Sequence, residues 1–248
     1  MEPSEYRAIY TVEDRHWWYA GMAHISRTLL AAAYPDRRDL RILDAGCGTG
    51  GALGFLSRFG AVTGSDISPL ALTYSRARGH SALSQASVTA LPYAAASFDL
   101  VTSFDVLYHH AVGDPRLALG EFRRVLRPGG RVLLRLPAYD WLRGGHDAIV
   151  HTARRFTTAT LGESLREAGF VIERLTYANT LLFPLAAAKR LLERLAPHAS
   201  VTSDVAANPA WLDAALTRPL AAEAAWLRTR DLPWGLSVVA LARKGSRG

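Results

Sequence analysis

The stretch RILDAGCGTGG, residues 41–51, constrains this chain more than any other. A short apolar strand runs directly into a glycine-rich turn, and the helical stretch ALGFLSRFG follows. Glycines allow a sharp turn and a close approach of backbone to a ligand. Strand, turn and helix therefore read as the opening of a βαβ unit with a ligand at the turn. The turn also carries a carboxylate, Asp44, two residues ahead of its first glycine.

The same alternation continues along the chain. AVTGSDIS (61–68) reads as a second strand ending in Asp66, and PLALTYSRARG as its helix, opened by Pro69 behind the capping candidate Ser68. SALSQAS (81–87) is a weaker third strand. FDLVTSFDVLYHH (98–110) predicts a fourth strand running into a helix start, and RVLLRLP (131–137) a fifth, introduced by the turn RPGG. FVIERLTYA (170–178) and LSVVALARK (236–244) read as a closing pair of strands separated by a mostly helical insertion. This order predicts an α/β fold, a mostly parallel sheet covered on both faces.

A chain of 248 residues, 49% of them hydrophobic, can bury one substantial core and is read as one domain with insertions. Its single cysteine, Cys47, excludes an internal disulfide framework and a paired-cysteine metal site. The net charge of +7 rests on 27 arginines and two lysines scattered among acids, which reads as a solvated surface rather than a nucleic-acid patch. No secretory leader pattern and no apolar run of about 18 residues is evident, so the expectation is a soluble, cytoplasmic protein without integral membrane association.

Ahead of the first strand, EYRAIYTVEDRHWWYAGMAHISRTLLAAAY is read as helical. Its aromatics, Tyr6, Tyr10, Trp17, Trp18 and Tyr19, are too many for a plain surface helix. They either pack on the sheet or form a lid over a ligand at its open edge. The lid reading predicts that a chain beginning near Asp39 folds but binds its ligand poorly.

Two ligands compete for the turn. Gly46, Gly48 and Gly51 satisfy GxGxxG, and Asp66 stands about 20 residues on, where a dinucleotide fold places its ribose-binding acid. Asp44 argues against a dinucleotide, because a carboxylate beside a pyrophosphate meets like charge in a poorly screened site. A ligand with a ribose, no phosphate and positive charge near the turn suits these residues better, and S-adenosylmethionine has those features.

The runs LDAGCGTGG, GSDISPLAL, ALPYAAASFDLVTSFDVLYHH and EFRRVLRPGGRVLLRLP, over roughly residues 40–137, resemble in order the four motifs of the class I S-adenosylmethionine-dependent methyltransferases. EDRHWWYAG and HTARRFT are similar to a bacterial small-molecule branch of that family. The resemblance implies a Rossmann-like sheet of seven strands with the last antiparallel. It also implies an N-terminal helical lid (1–38), a cofactor-binding core (39–138) and substrate-side helical insertions (139–169 and 179–234). By position it implies that Asp44, Gly46, Cys47 and Gly48 hold the methionine moiety, Asp66 the ribose, and Ile67, Ser87 and Val88 the adenine. Phe104 would lie near the methionine amine, and Trp18 and Tyr19 would close from the lid. Two departures stand out: Ser87 occupies the place of a usual acid, and Met22 that of a common arginine.

Methyl transfer needs alignment and, for a protonated nucleophile, a base. His109 and His110 follow the fourth strand, where a neutral imidazole can accept a proton, although a capping or packing role suits them equally. Tyr108, His151, Arg154 and Arg155 are read as substrate-side, the arginines as binders of an anionic acceptor or as partners in structural salt bridges. His146, Asp147 and His151 make a poor metal set, so no metal is expected. NTLLFPLAAAKRLLERLAPH (179–198) has helical apolar spacing that serves a core, a homodimer contact, a membrane surface or a cover over a greasy substrate. A small-molecule methyltransferase is the leading reading. A nucleic-acid enzyme lacks a base-flipping signature here, and a cofactor-binding protein without methyl transfer stays open.

Overall fold

A computed structural model describes residues 1–195 and 208–245. Two helices, α1 (Pro3–Val12) and α2 (Trp17–Ala33), precede β1 (Leu40–Ala45). The glycine turn leads into α3 (Gly51–Leu56), then β2 (Gly60–Asp66), α4 (Pro69–Ala77) and a third strand, β3 (Leu83–Gln85), of only three residues. Ser68 caps α4 as its sequence suggests, its hydroxyl accepting the Ala71 N–H at 3.3 Å. After β4 (Phe98–Phe104) the chain departs from expectation. No helix starts at His109–His110; a single 3₁₀ turn (His110–Val112) ends at Gly113, whose φ is +62°. The helix α5 (Pro115–Val125) begins beyond it, with Pro115 in its first turn and Asp114 capping the Arg116 N–H at 2.9 Å.

Strand β5 (Leu126–Pro137) takes in the RPGG segment as an irregularity in its pairing with β4. Then follow α6 (Gly145–Ile149), α7 (Thr158–Glu167), β6 (Phe170–Ala178), α8 (Phe183–Leu195), α9 (Ala210–Trp226) and β7 (Ser237–Lys244). Residues 196–207 of the expected 179–234 insertion lie outside the described residues. The seven strands lie in the order β3-β2-β1-β4-β5-β7-β6, and β7 runs antiparallel to both its neighbours. The expected Rossmann-like sheet with an antiparallel last strand is therefore present. No helix of the described residues is long and apolar enough to cross a membrane.

Alternation along the central strands divides the core between two faces. Val101 and Leu134 pack with Phe122 of α5 and Leu161 and Leu165 of α7 on one face. Leu100 and Leu133 pack with Met22, Ile25 and Leu29 of α2 and Leu220 of α9 on the other. Helix α2 is thus part of the core as well as a candidate cover. Gly21 is required there, because a Cβ would stand 2.2 Å from the Leu220 side chain.

Candidate active site

The parallel strands β1, β2, β4 and β5 bring their carboxyl ends to one edge, where such folds bind ligands. A cavity of about 1180 Å³ occupies that edge. Its floor is the glycine turn. Gly46 has φ +83°, and a Cβ there would stand 2.3 Å from Val106, so both backbone conformation and space require glycine. The N–H groups of Gly46 and Cys47 donate to Ser65 O at 2.7 and 2.9 Å, tying the turn to β2. Cys47 is buried against the cavity, and burial pushes its thiol well above the ordinary range, away from thiolate chemistry.

Two carboxylates face this floor. Asp44, 1% exposed, accepts the Thr102 hydroxyl at 2.6 Å. Burial pushes its pKa up to about 7, with Thr102 and Arg135 opposing and Asp66 and Glu13 adding to the rise. Asp66 accepts the Gly48 N–H and the Ser68 N–H, each at 2.9 Å, one on each oxygen. Each oxygen keeps a lone pair for a further donor. Burial raises this carboxyl also, against those backbone bonds. Beside Asp66, Ile67 is 54% exposed on the rim, opposite Ser87 and the buried Val88. The Ser87 hydroxyl accepts the Thr89 N–H at 3.2 Å and pairs with the Thr89 hydroxyl at 2.8 Å, so it also shapes its own turn.

The far wall is aromatic and cationic. The Arg135 guanidinium lies 4.8 Å from the Trp18 ring centre and 4.9 Å from that of Phe104, and Arg135 Nε donates to Asp105 at 2.7 Å. Tyr19 packs edge-on to Trp18 at 4.9 Å. Met22 is fully buried, so the departure from arginine at that position serves the core. On the other side α1 is tied to the glycine turn. Glu13 accepts the Thr49 hydroxyl and pairs with Arg78 at 2.8 Å. Arg78 also pairs with Asp14 at 2.6 Å, donates to Thr49 O at 2.9 Å and lies over the Tyr10 ring.

The residues expected on the substrate side divide. Tyr108 and His109 line the cavity. His109 Nδ1 accepts the Ala111 N–H at 3.0 Å, and Nε2 lies 2.9 Å from the Met1 amine. Burial, then the neighbouring Met1 amine, lowers its pKa to about 4, so the ring is uncharged at neutral pH. His110 is exposed and does not line the cavity, because the 3₁₀ turn carries it outward. His151 also lies off the cavity and bonds Glu2 at 2.9 Å. Arg154 donates to Leu107 O and Gly113 O, bracing the loop after β4 from behind, and it too is off the cavity. Arg155 lines the cavity but is held by Asp147 at 2.9 Å in a nearly buried pair and by Ala138 O at 3.1 Å. That pair commits Asp147, and the side chain of His146 lies outside the described part of the structure.

Sequence reasoning passed over Arg135, Asp105 and the Glu13–Arg78 tie. An arginine inside the apolar run RVLLRLP was the available signal for the first. Asp105 takes φ +56°, a backbone state no local motif announces. The Glu13–Arg78 pair joins residues 65 positions apart and has no local trace.

Residues 43–134 match a family model described as a methyltransferase domain. The chain is 38% identical to a malonyl-[acyl-carrier protein] O-methyltransferase of Enterobacter lignolyticus over 124 residues, 47% of each protein. It is 37% identical to the ubiquinone/menaquinone biosynthesis C-methyltransferase UbiE of Bdellovibrio bacteriovorus over 123 residues, 46% of this chain and 51% of that one. The chain thus spans about half the length of the curated relatives it matches. In fold it is similar to a chain of the Haloferax volcanii complex between the Trm112 methyltransferase activator and a methyltransferase. The TM-score is 0.62 and the identity 22%, over 99% of this chain and 95% of that one.

Proposed function

We propose that this chain, a member of the class I S-adenosylmethionine-dependent methyltransferases, transfers a methyl group from that cofactor to a small-molecule acceptor. The observation that carries the reading is the continuity of one cavity from Asp44, Asp66 and Ile67 to the Trp18–Arg135–Phe104 wall. At about 1180 Å³ it exceeds the roughly 300–1,000 Å³ typical of a single small-molecule site, which leaves room for cofactor and acceptor together.

The residues fit the cofactor on chemical grounds. Asp44 is a buried carboxylate whose direct hydrogen-bond partner among the described residues is a neutral hydroxyl, so an ammonium group would relieve its desolvation. Asp66 offers its remaining lone pairs to two ribose hydroxyls, and Ile67 with Val88 offers apolar surface to adenine. Gly46, Cys47 and Gly48 let the backbone approach the methionine moiety. When bound, S-adenosylmethionine supplies an electrophilic methyl group on a cationic sulfur. The chain's own task is alignment: Phe104, Trp18 and Tyr19 wall the acceptor side and exclude water.

His109 is the side chain placed to accept a proton from a hydroxyl acceptor, since burial keeps it neutral. In this arrangement its Nε2 faces Met1, which must give way for that role. The test is isothermal titration with S-adenosylmethionine, followed by mass spectrometry for a gain of one methylene on candidate acceptors. Replacing Asp66 with Ala should weaken cofactor binding by about 1–3 kcal/mol, the range for hydrogen bonds to a charged group. Tight NADH binding with no response to S-adenosylmethionine would overturn the reading; cofactor binding without transfer to any acceptor would leave a binding protein on this fold.

A further inference from the structure

The cavity does not end at the Arg135 wall. It continues between α2 and α3, where one face of α2 presents Ala20, Ala23 and Arg27 on successive turns. Opposite them α3 presents Ala52 and Phe55, and Phe55 reaches back to within 6.2 Å of the Phe104 ring. From Ala20 to Arg27 the helix rises about 10 Å at roughly 1.5 Å per residue, and every lining residue named over that span is apolar.

Arg27 closes this branch. Its side chain is half-buried, and among the described residues no carboxylate, carbonyl or hydroxyl bonds its guanidinium. Arg135 and Arg155 at the same cavity behave differently: Arg135 pairs with Asp105, and Arg155 with Asp147. Burial, and then the like charge of the exposed Arg58, lower its pKa. Guanidinium groups out of water without an anion are unfavourable, and their planar fork matches carboxylate and phosphate oxygens.

We propose that Arg27 binds the anionic group, carboxylate or phosphate, of an acceptor whose apolar segment lies between α2 and α3. The substrate class is then an amphipathic anion, with its methyl-accepting atom near Phe104 and its charge at Arg27, at the other end of the α2–α3 branch. This rests on the reading of the cavity as a joint cofactor and acceptor site.

The experiment uses the full chain saturated with S-adenosylhomocysteine and titrates decanoate, decyl phosphate and decanol by calorimetry. At least one anion should bind ten times more tightly than decanol, and the preferred anion identifies carboxylate or phosphate as the group. Arg27→Gln should bring anion binding down to the level of decanol while the affinity for S-adenosylhomocysteine is unchanged, which also shows that the variant is folded. Equal binding of decanol and the anions, binding of none of the three, or anion binding unaffected by Arg27→Gln overturns the proposal. Loss of S-adenosylhomocysteine affinity in Arg27→Gln overturns it too, by assigning Arg27 to the cofactor. A wild-type chain that binds no S-adenosylhomocysteine refutes the underlying cofactor reading and this proposal with it, and that first titration tells the two failures apart.

Discussion

Cofactor binding should release a proton from Asp44. In the free protein burial holds this carboxyl near pKa 7, so at pH 6 most molecules carry it protonated. An ammonium group at the carboxylate favours the charged form and returns the pKa toward its ordinary range. Below pH 7, each unit of falling pH then costs binding about 1.4 kcal/mol, a factor of ten. Because half the molecules are already protonated at pH 7, affinity should fall by about 50-fold between pH 7 and pH 5 on that scale. The cofactor's own amine, ordinarily near pKa 8, sets the alkaline limit of the window. The assay is calorimetric titration in two buffers of different ionisation enthalpy, which counts protons directly. Nearly one proton should leave per cofactor bound at pH 6. Asp66 and Glu13 are also raised by burial, so Asp44→Asn identifies the source: its binding should be weak and much flatter across pH 5–7. Binding by the wild type that neither varies with pH nor releases a proton would refute the reasoning. An undiminished slope in Asp44→Asn would move the proton to another group. The free protein supplies the converse check. An acid whose folded pKa is raised holds its proton longer folded than unfolded, so apo stability should decline as pH rises from about 4 to about 7.

Three further outcomes are expected. A chain beginning at Asp39 should fail to fold, which far-UV circular dichroism and thermal melting will read. It loses the fully buried Met22, Ile25 and Leu30 and the nearly buried Leu29, at about 1.5–3 kcal/mol each, a sum comparable to the roughly 5–15 kcal/mol of a whole domain. Arg78→Ala should weaken cofactor binding by about 2 kcal/mol, since it leaves Glu13 without its ionic partner at the turn. Limited proteolysis should then cut near residues 13–16, and unchanged resistance would show that the tie does not hold α1. His109→Ala should lower single-turnover methyl transfer to a hydroxyl acceptor by about 100-fold while cofactor affinity hardly changes. An unchanged rate and pH profile would leave alignment alone as the protein's contribution.

The legible part of this protein was local. A strand running into GCGTGG, a serine–proline helix start and a carboxylate closing β2 are encoded within a few residues, and the structure puts Asp44, Gly46 and Asp66 around one cavity. The loop after β4 was harder. Its helical appearance broke at Gly113 and Pro115, and a shift of one residue separates His109, on the cavity, from His110, which points away. Arg154 and Arg155 are neighbours in sequence yet serve different pockets, because adjacent side chains in extended chain point to opposite sides. Lid and core could not be separated from sequence either. The aromatics of α2 suit packing and cover alike, and the register that buries Met22, Ile25 and Leu29 depends on α9, nearly 200 residues away.

That contact divides the N-terminal segment mechanically. Helix α2 is clamped along its length by α9, and its first turn is held by Asp213, whose carboxylate accepts the Trp17 N–H at 3.2 Å. Helix α1 is backed differently: it buries Glu5 and Val12, sets Tyr10 against Tyr74 and Arg78 of the α4 segment, and is tied to the glycine turn through Glu13. The entrance is therefore bounded by unequal walls, α2 seated in the core and α1 resting on α4 and the glycine turn. The Trp17–Trp18 surface belongs to the α2 wall and packs against its core. It is built when the chain folds, so a ligand meeting it would find those rings already ordered and would bear no new entropic cost for them.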